Sequence, residues 1–216
     1  MENQVKSKTR VADHGEVFTA QREVNNMLDL VKQETLRIDS RFLEPACGSG
    51  NFLVEVIKRK FDVVKNKYKK NQLEYEKYSI VAISSVYGVD ILEDNIIECR
   101  QRLYDFFEAE YSNMYNKSCK DDIQSSIKFI LEKNIICGDA LTLTKVGSDE
   151  PIVFSEWSCV NNNMIKRRDY TLHELLRNST SGDLGLFSDL GEDAFIPTAI
   201  KEYPLIHFLK LGTQDE

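Results

Sequence analysis

The stretch Leu43-Glu44-Pro45-Ala46-Cys47-Gly48-Ser49-Gly50-Asn51-Phe52-Leu53 constrains the fold more than any other part of this chain. Arg41-Phe42-Leu43 is short and apolar enough for a buried strand, Pro45 ends it, and Gly48 and Gly50 permit a tight backbone turn beside a ligand. A helix is predicted from Asn51. Its first N–H groups have no partner within the helix and point back at the turn, which welcomes an anionic or strongly polar group. By itself a G-x-G is also what an ordinary strand-to-helix loop contains, so context decides its meaning.

Two features separate this turn from a dinucleotide-binding fingerprint. The third glycine of G-x-G-x-x-G falls at Leu53, where a bulky side chain opposes the close helix–strand packing that the fingerprint requires. An acidic residue does close a later strand, at Asp90 in Ser85-Val86-Tyr87-Gly88-Val89-Asp90-Ile91. It lies about twice as far past the glycines as the usual interval of roughly 20 residues, so an insertion separates the two.

With these residues in view, Phe42 to Phe52 resembles the S-adenosylmethionine-binding motif of the N6-adenine DNA methyltransferases, especially the modification subunits of bacterial restriction systems. Three further pieces follow that family's chain order: Gly15-Glu16-Val17-Phe18-Thr19-Ala20, Tyr87-Gly88-Val89-Asp90-Ile91 and Cys137-Gly138-Asp139-Ala140-Leu141. The resemblance covers about residues 10 to 145. It implies that Thr19 helps hold the methionine part of the cofactor and that Glu44, Ala46, Gly48 and Gly50 line its amino-acid moiety and sulfonium. It further implies that Asp90 accepts from the ribose hydroxyls, that Ile91 packs on the adenine face, and that Asp139, beside Ala140, accepts from the adenine amino group. An ionised carboxylate suits both aspartate positions, because it is acceptor-only and makes charge-assisted hydrogen bonds. Taken singly, Asp90 reads equally as a strand-end cap and Asp139 as a Gly-Asp turn.

The chain departs from the family in one place that matters for chemistry. The catalytic motif of the family, a polar residue followed by Pro-Pro and an aromatic, holds the target amine and stacks on the flipped base. No Pro-Pro pair occurs anywhere in the sequence. The expected fourth strand, Ile152-Val153-Phe154, runs instead into Ser155-Glu156-Trp157, the candidate catalytic loop. Trp157, the single tryptophan, also reads as a core or interface anchor. Glu156 reads as a turn residue or as a partner for Lys166-Arg167-Arg168. Two functions from different classes follow: a DNA methyltransferase acting on adenine N6, and a methylase-like module or subunit that holds the cofactor and needs a partner chain.

The 216 residues suit one domain, spanning 1–216, with a cofactor-binding core over about 10–160 and a C-terminal extension over 161–216. The expected fold class is α/β, Rossmann-like, with a mostly parallel sheet covered by helices on both faces. Amphipathic or capped helices are predicted at 22–36, 51–66, 71–79, 93–110 and 122–133, and strands at 134–137 and 152–154. A short helix at 172–176 and a loop over 178–191 are expected beyond, where Phe187, Phe195 and Phe208 would close the core. No apolar run approaches a membrane span and no signal core precedes residue 10, so a cytoplasmic location without membrane contact is expected. The five cysteines form no C-x-x-C pair and lie apart in sequence from the three histidines, which argues against a metal site and for reduced thiols. The net charge of −7 excludes a uniformly basic nucleic-acid binder, so any contact with double-stranded DNA, direct or through a specificity or partner subunit, must be local. Residues 58–70 carry seven basic residues against one acid and read as a solvated helix face or a phosphate contact, and Lys166-Arg167-Arg168 reads as a second phosphate contact.

Overall fold

The computed structural model describes residues 7–14, 16–17, 19–161, 163–177 and 197–213. Three short helices come first, α1 (Lys8–His14), α2 (Gln21–Leu30) and α3 (Lys32–Thr35). Then follow β1 (Phe42–Glu44), α4 (Asn51–Tyr68), α5 (Gln72–Ser84), β2 (Val86–Asp90), α6 (Glu93–Tyr115), α7 (Asp121–Asn134), β3 (Ile135–Asp139) and β4 (Thr144–Lys145). The chain continues with β5 (Val153–Val160), β6 (Met164–Thr171), α8 (Leu172–Arg177), β7 (Lys201–Glu202) and β8 (Ile206–His207).

The first sheet runs β1-β2-β3-β4; the first two pairings are parallel and β4 joins antiparallel. Both crossovers advance in one direction. Right-handed connections therefore place their helices in one layer, and α4, α5, α6 and α7 do pack on one another and on β1 to β3. The expectation of helices on both faces holds unevenly: these four helices pack on one face, and the short α8 reaches the other. The opposite face, presented by Tyr87 and Val89, is covered by Ile152 just before β5, by Phe154 within it, and by Leu172, Leu175 and Leu176 of α8.

Two boundaries differ from the sequence expectation for physical reasons. The expected helix over 22–36 breaks at Val31 (φ −116°, ψ 33°), leaving Val24 and Leu28 buried while Met27 and Val31 are exposed. The helix expected to end at residue 79 continues to Ser84, because Ile80, Ala82 and Ile83 bury a helical face rather than extending the next strand. The fourth strand is longer than expected. β5 pairs with β6 in an unbroken antiparallel ladder from Val153↔Thr171 to Val160↔Met164, and β6 also carries β7 and β8. A core boundary at residue 160 therefore cuts this hairpin. Phe208 closes the core, fully buried, whereas the expected loop over 178–191 and Phe187 and Phe195 lie outside the described residues.

Candidate functional site

Gly48 (φ 51°) and Gly50 (φ 86°) both adopt the left-handed backbone region, as the tight turn requires, and Gly50 caps α4. A side chain at Gly50 would also strike the Cys99 thiol, 2.6 Å from the position of its first carbon. Three bonds fix the turn over the ends of the parallel strands. Cys47 N donates to Val89 O at 2.8 Å, Gly50 N to Cys47 O at 2.8 Å, and Gly48 N to Asp90 Oδ2 at 2.9 Å.

A cleft of about 620 Å3 opens above this turn, within the ~300–1,000 Å3 of small-molecule sites. The structure brings Thr19, Glu44, Ala46, Gly48, Asp90, Ile91, Asp139 and Ala140 to its wall. Gly50 stands one residue behind, as the helix cap. Sequence reasoning passed over Glu16, Phe52 and Asn95, which line the same cleft. Glu16 and Phe52 each carried a signal, Glu16 in the upstream motif that also holds Thr19 and Phe52 at the end of the glycine-turn motif, whereas Asn95 carried none.

The polar lining is one-sided. Glu16, Glu44, Asp90 and Asp139 supply four carboxylates, and no lysine or arginine lines the cleft among the described residues. Burial pushes the Glu44 carboxyl above its ordinary range, partly offset by a hydrogen bond from the Ala46 N–H. Asp90 accepts from Gly48 N through Oδ2, and from Leu92 N (2.9 Å) and Asn95 Nδ2 (3.2 Å) through Oδ1. These bonds leave room for one further donor among the roughly four acceptor positions of a carboxylate. Asp139 is both things its sequence context allowed: it faces the cleft, and its Oδ1 accepts from Leu141 N at 2.8 Å in an Asx turn. Cys47 is a packing residue, 6% exposed, and hydrogen bonding to Cys99 together with burial holds its thiol protonated.

Ser155, Glu156 and Trp157 are not brought to the cleft. They lie in β5, so the expected catalytic loop is corrected to a strand. Ser155 is 2% exposed; its Oγ donates to Asp169 Oδ1 (2.7 Å) and accepts from Arg167 Nε (3.0 Å). Glu156 accepts from Arg41 Nη2 at 2.6 Å and from Arg168 Nη1 at 3.4 Å. Trp157 is a buried anchor: its indole N–H donates to Asn134 Oδ1 (3.0 Å) and its ring meets Phe129 edge-on.

In the first basic cluster Lys58, Lys67, Lys69 and Lys70 are exposed, as a solvated helix face requires, and the rest are committed to partners. Lys60 is fully buried, and its ammonium donates to Ser40 O and Ser85 Oγ. Arg59 pairs with Asp29 and Lys65 with Glu110. α4 spans 18 residues, about 27 Å at 1.5 Å per residue, so its basic C-terminal end is remote from the cleft. Arg167 pairs with Asp169 in the interior, whereas Lys166 and Arg168 reach Glu202. None of the three is a free phosphate contact.

A second groove, of about 590 Å3, is lined by Leu43, Tyr87, Phe154 and Tyr170 and also by Ser155 and Glu156, so two of the three expected catalytic residues border this groove and not the cleft over the glycine turn. It has no glycine turn, and the cleft is preferred as the candidate site because it gathers that turn with Asp90 and Asp139 at the ends of the parallel strands. Among the described residues no cluster of histidine, cysteine and acidic side chains has the makings of a metal site, and no helix is long and apolar enough to cross a membrane.

The family model described as MmeI, DNA-methyltransferase domain, matches residues 16–147, from the upstream motif through the strand end at Asp139 and its loop. No curated protein and no solved structure matches the chain significantly.

Proposed function

We propose that this chain, which belongs to the MmeI DNA-methyltransferase-domain family of restriction-modification methyltransferases, binds S-adenosylmethionine in the cleft over the glycine turn. The observation that carries this reading is the charge of the cleft: four carboxylates, of which Glu16 alone is paired with a cation, Arg10 behind the wall, and no lining cation among the described residues. Such a lining repels phosphates and favours a nucleoside that bears positive charge. S-adenosylmethionine carries an ammonium and a sulfonium and has no phosphate, so the donor set fits it. The parallel strands and their helix layer are read accordingly as a Rossmann-like methyltransferase core.

In this assignment Thr19 and Glu44 hold the methionine end, and Ala46, Gly48 and Gly50 give the backbone close approach to it. Asp90 accepts from the ribose, Ile91 packs on the adenine, and Asp139, with Ala140 beside it, accepts from the adenine amine. Asp90 has one acceptor position to spare, which suits a hydroxyl donor. Ionised Glu44 stabilises the ammonium, which in turn lowers the raised carboxyl pKa. Binding below that pKa therefore releases a proton and weakens as pH falls. The bound cofactor supplies an electrophilic methyl group on its sulfonium.

DNA is the substrate class, and adenine N6 is the proposed acceptor on the strength of the motif resemblance. We assign no catalytic step to Ser155, Glu156 or Trp157, whose side chains are committed to bonds away from the cleft. That commitment favours the second reading, a cofactor-binding subunit whose methyl transfer is completed by a partner chain. Calorimetry tests the cofactor assignment: Asp90→Ala and Gly50→Leu should each weaken S-adenosylmethionine binding at least about tenfold. Unchanged affinity in both variants would sink it.

A further inference from the structure

Beside Asp90 lies a bonded chain that reaches from the cleft to the start of the molecule. Asn95, in the first turn of α6 and 1% exposed, divides its amide between two carboxylates: Nδ2 donates to Asp90 Oδ1 at 3.2 Å and to Glu16 Oε1 at 2.7 Å. The Asn95 carbonyl accepts from Arg10 Nη2 at 3.2 Å. Arg10 grips two acids with its fork. Nε and Nη2 donate to Glu16 at 2.6 and 2.7 Å, and Nη1 and Nη2 donate to Asp94 at 2.6 and 3.1 Å. Hydrogen bonds to Asp94 and Glu16 raise the guanidinium pKa further.

The spacing explains why these residue types are needed. Asp90 and Glu16 both face the cleft, and two carboxylates so close repel unless something donates to both. An amide can donate to both at once while its oxygen takes the guanidinium. Arg10 belongs to α1 and Asn95 to α6, with the Glu16-to-Thr19 wall of the cleft between Arg10 and the core in sequence.

We infer that Asn95 and Arg10 are positioning residues for the ribose end of the site. Asn95 holds Asp90 in the orientation that leaves its free acceptor position toward the ribose hydroxyls. Arg10, by pinning Glu16 on Asn95, docks the segment that carries Thr19 and locks that orientation. The inference rests on the cofactor reading above and names which side chains make Asp90 selective for a ribose diol.

The test is calorimetry of the full chain with S-adenosylhomocysteine and with its 2′,3′-dideoxy counterpart, which offers Asp90 no hydroxyl. Arg10→Ala and Asn95→Ala should each weaken S-adenosylhomocysteine binding about tenfold, as expected for one misplaced charge-assisted bond. Each should weaken binding of the dideoxy compound less than about twofold. The double variant should lose little more than Asn95→Ala alone, because the two residues act through one chain of bonds. Equal losses with both ligands would mean a merely structural role and would overturn the inference, as would additive losses or none. Arg10 is partly exposed, so Arg10→Ala decides alone if Asn95→Ala does not fold. If the unmodified chain binds neither compound, the cofactor reading falls and takes this inference with it; binding that the variants leave unchanged overturns only the inference.

Discussion

Lys60 occupies a position that a hydrophobic residue would normally hold, in the middle of α4 and without exposure to solvent. Its ammonium satisfies Ser40 O and Ser85 Oγ and lies 5.1 Å from the centroid of the Phe42 ring. Burial lowers its pKa from 10.5 to about 7. Between those values the unfolded chain binds more protons than the folded one, so this residue makes stability rise with pH across that window, with no slope below it. The half-buried thiols of Cys119 and Cys137, raised by burial, act in the opposite sense. The readout is therefore a comparison with Lys60→Met. Urea unfolding at pH 7.5 and 9.5 should show the unmodified chain gaining on the order of 2 kcal/mol relative to that variant, from about 1.4 kcal/mol per pH unit. Parallel behaviour of the two proteins would refute the buried-base account.

Leu53, where a dinucleotide fingerprint needs glycine, is fully buried, and its Cδ1 lies 3.0 Å from where a first side-chain carbon at Gly88 would stand. The bulk moved from strand to helix: Gly88 in β2 makes the space that Leu53 fills. Gly88→Ala would also press on Cys47 Sγ at 3.0 Å, and should cost about 1–3 kcal/mol of stability in a urea titration, as overpacking does. A neutral result would mean that the turn relaxes freely.

At the scale of elements, the glycine turn, α4, α6 and α7 were legible because each couples a 3.6-residue apolar period with a clear start signal. The four cleft motifs were legible because they recur in order. α5 was read short because Ile80-Val81-Ala82-Ile83 has no polar interruption, and a continuous apolar run fits strand and helix alike. The β5–β6 hairpin was missed for a different reason. In β6 the inward positions are Ile165, Arg167 and Asp169, so charged residues occupy the buried side of the alternation and hide it. Arg167 is buried against Asp169 and stands over the Tyr203 ring at 4.0 Å, which replaces the apolar packing the pattern would normally show. The remaining signal was the run of asparagines after Val160, where Asn163 takes φ 63°, a conformation asparagine tolerates. The hairpin is anchored at Asn134, which accepts from Trp157 and donates to Ser84 O and Val86 O. Trp157→Phe should thus cost about 2–4 kcal/mol through the cavity and the orphaned Asn134 carbonyl, with S-adenosylmethionine affinity changed less than about twofold. A large affinity loss with little loss of stability would return Trp157 to the binding site.

For the whole molecule, the strand order sets the limit on chemistry. In open parallel sheets a ligand crevice forms where strand order reverses, with strands on both sides of it. Among the described residues β1 ends the sheet, both crossovers run away from it, and the antiparallel β5–β6 hairpin does not prolong it. The described residues therefore furnish one wall of such a crevice, the wall proposed above to hold the cofactor. An exocyclic amine attacks a methyl donor well only when oriented acceptors localise its lone pair, and removing such preorganised groups typically costs about 10²–10³ in rate. With no Pro-Pro turn in the sequence and Ser155 bonded to Asp169, nothing among the described residues supplies them at the cleft. Methyl transfer to DNA from an unmodified host should accordingly be at least about 10²-fold slower for this chain alone than for the chain together with a co-purified methylase partner. Equal rates would show that one wall suffices, and that the acceptor groups lie within this polypeptide.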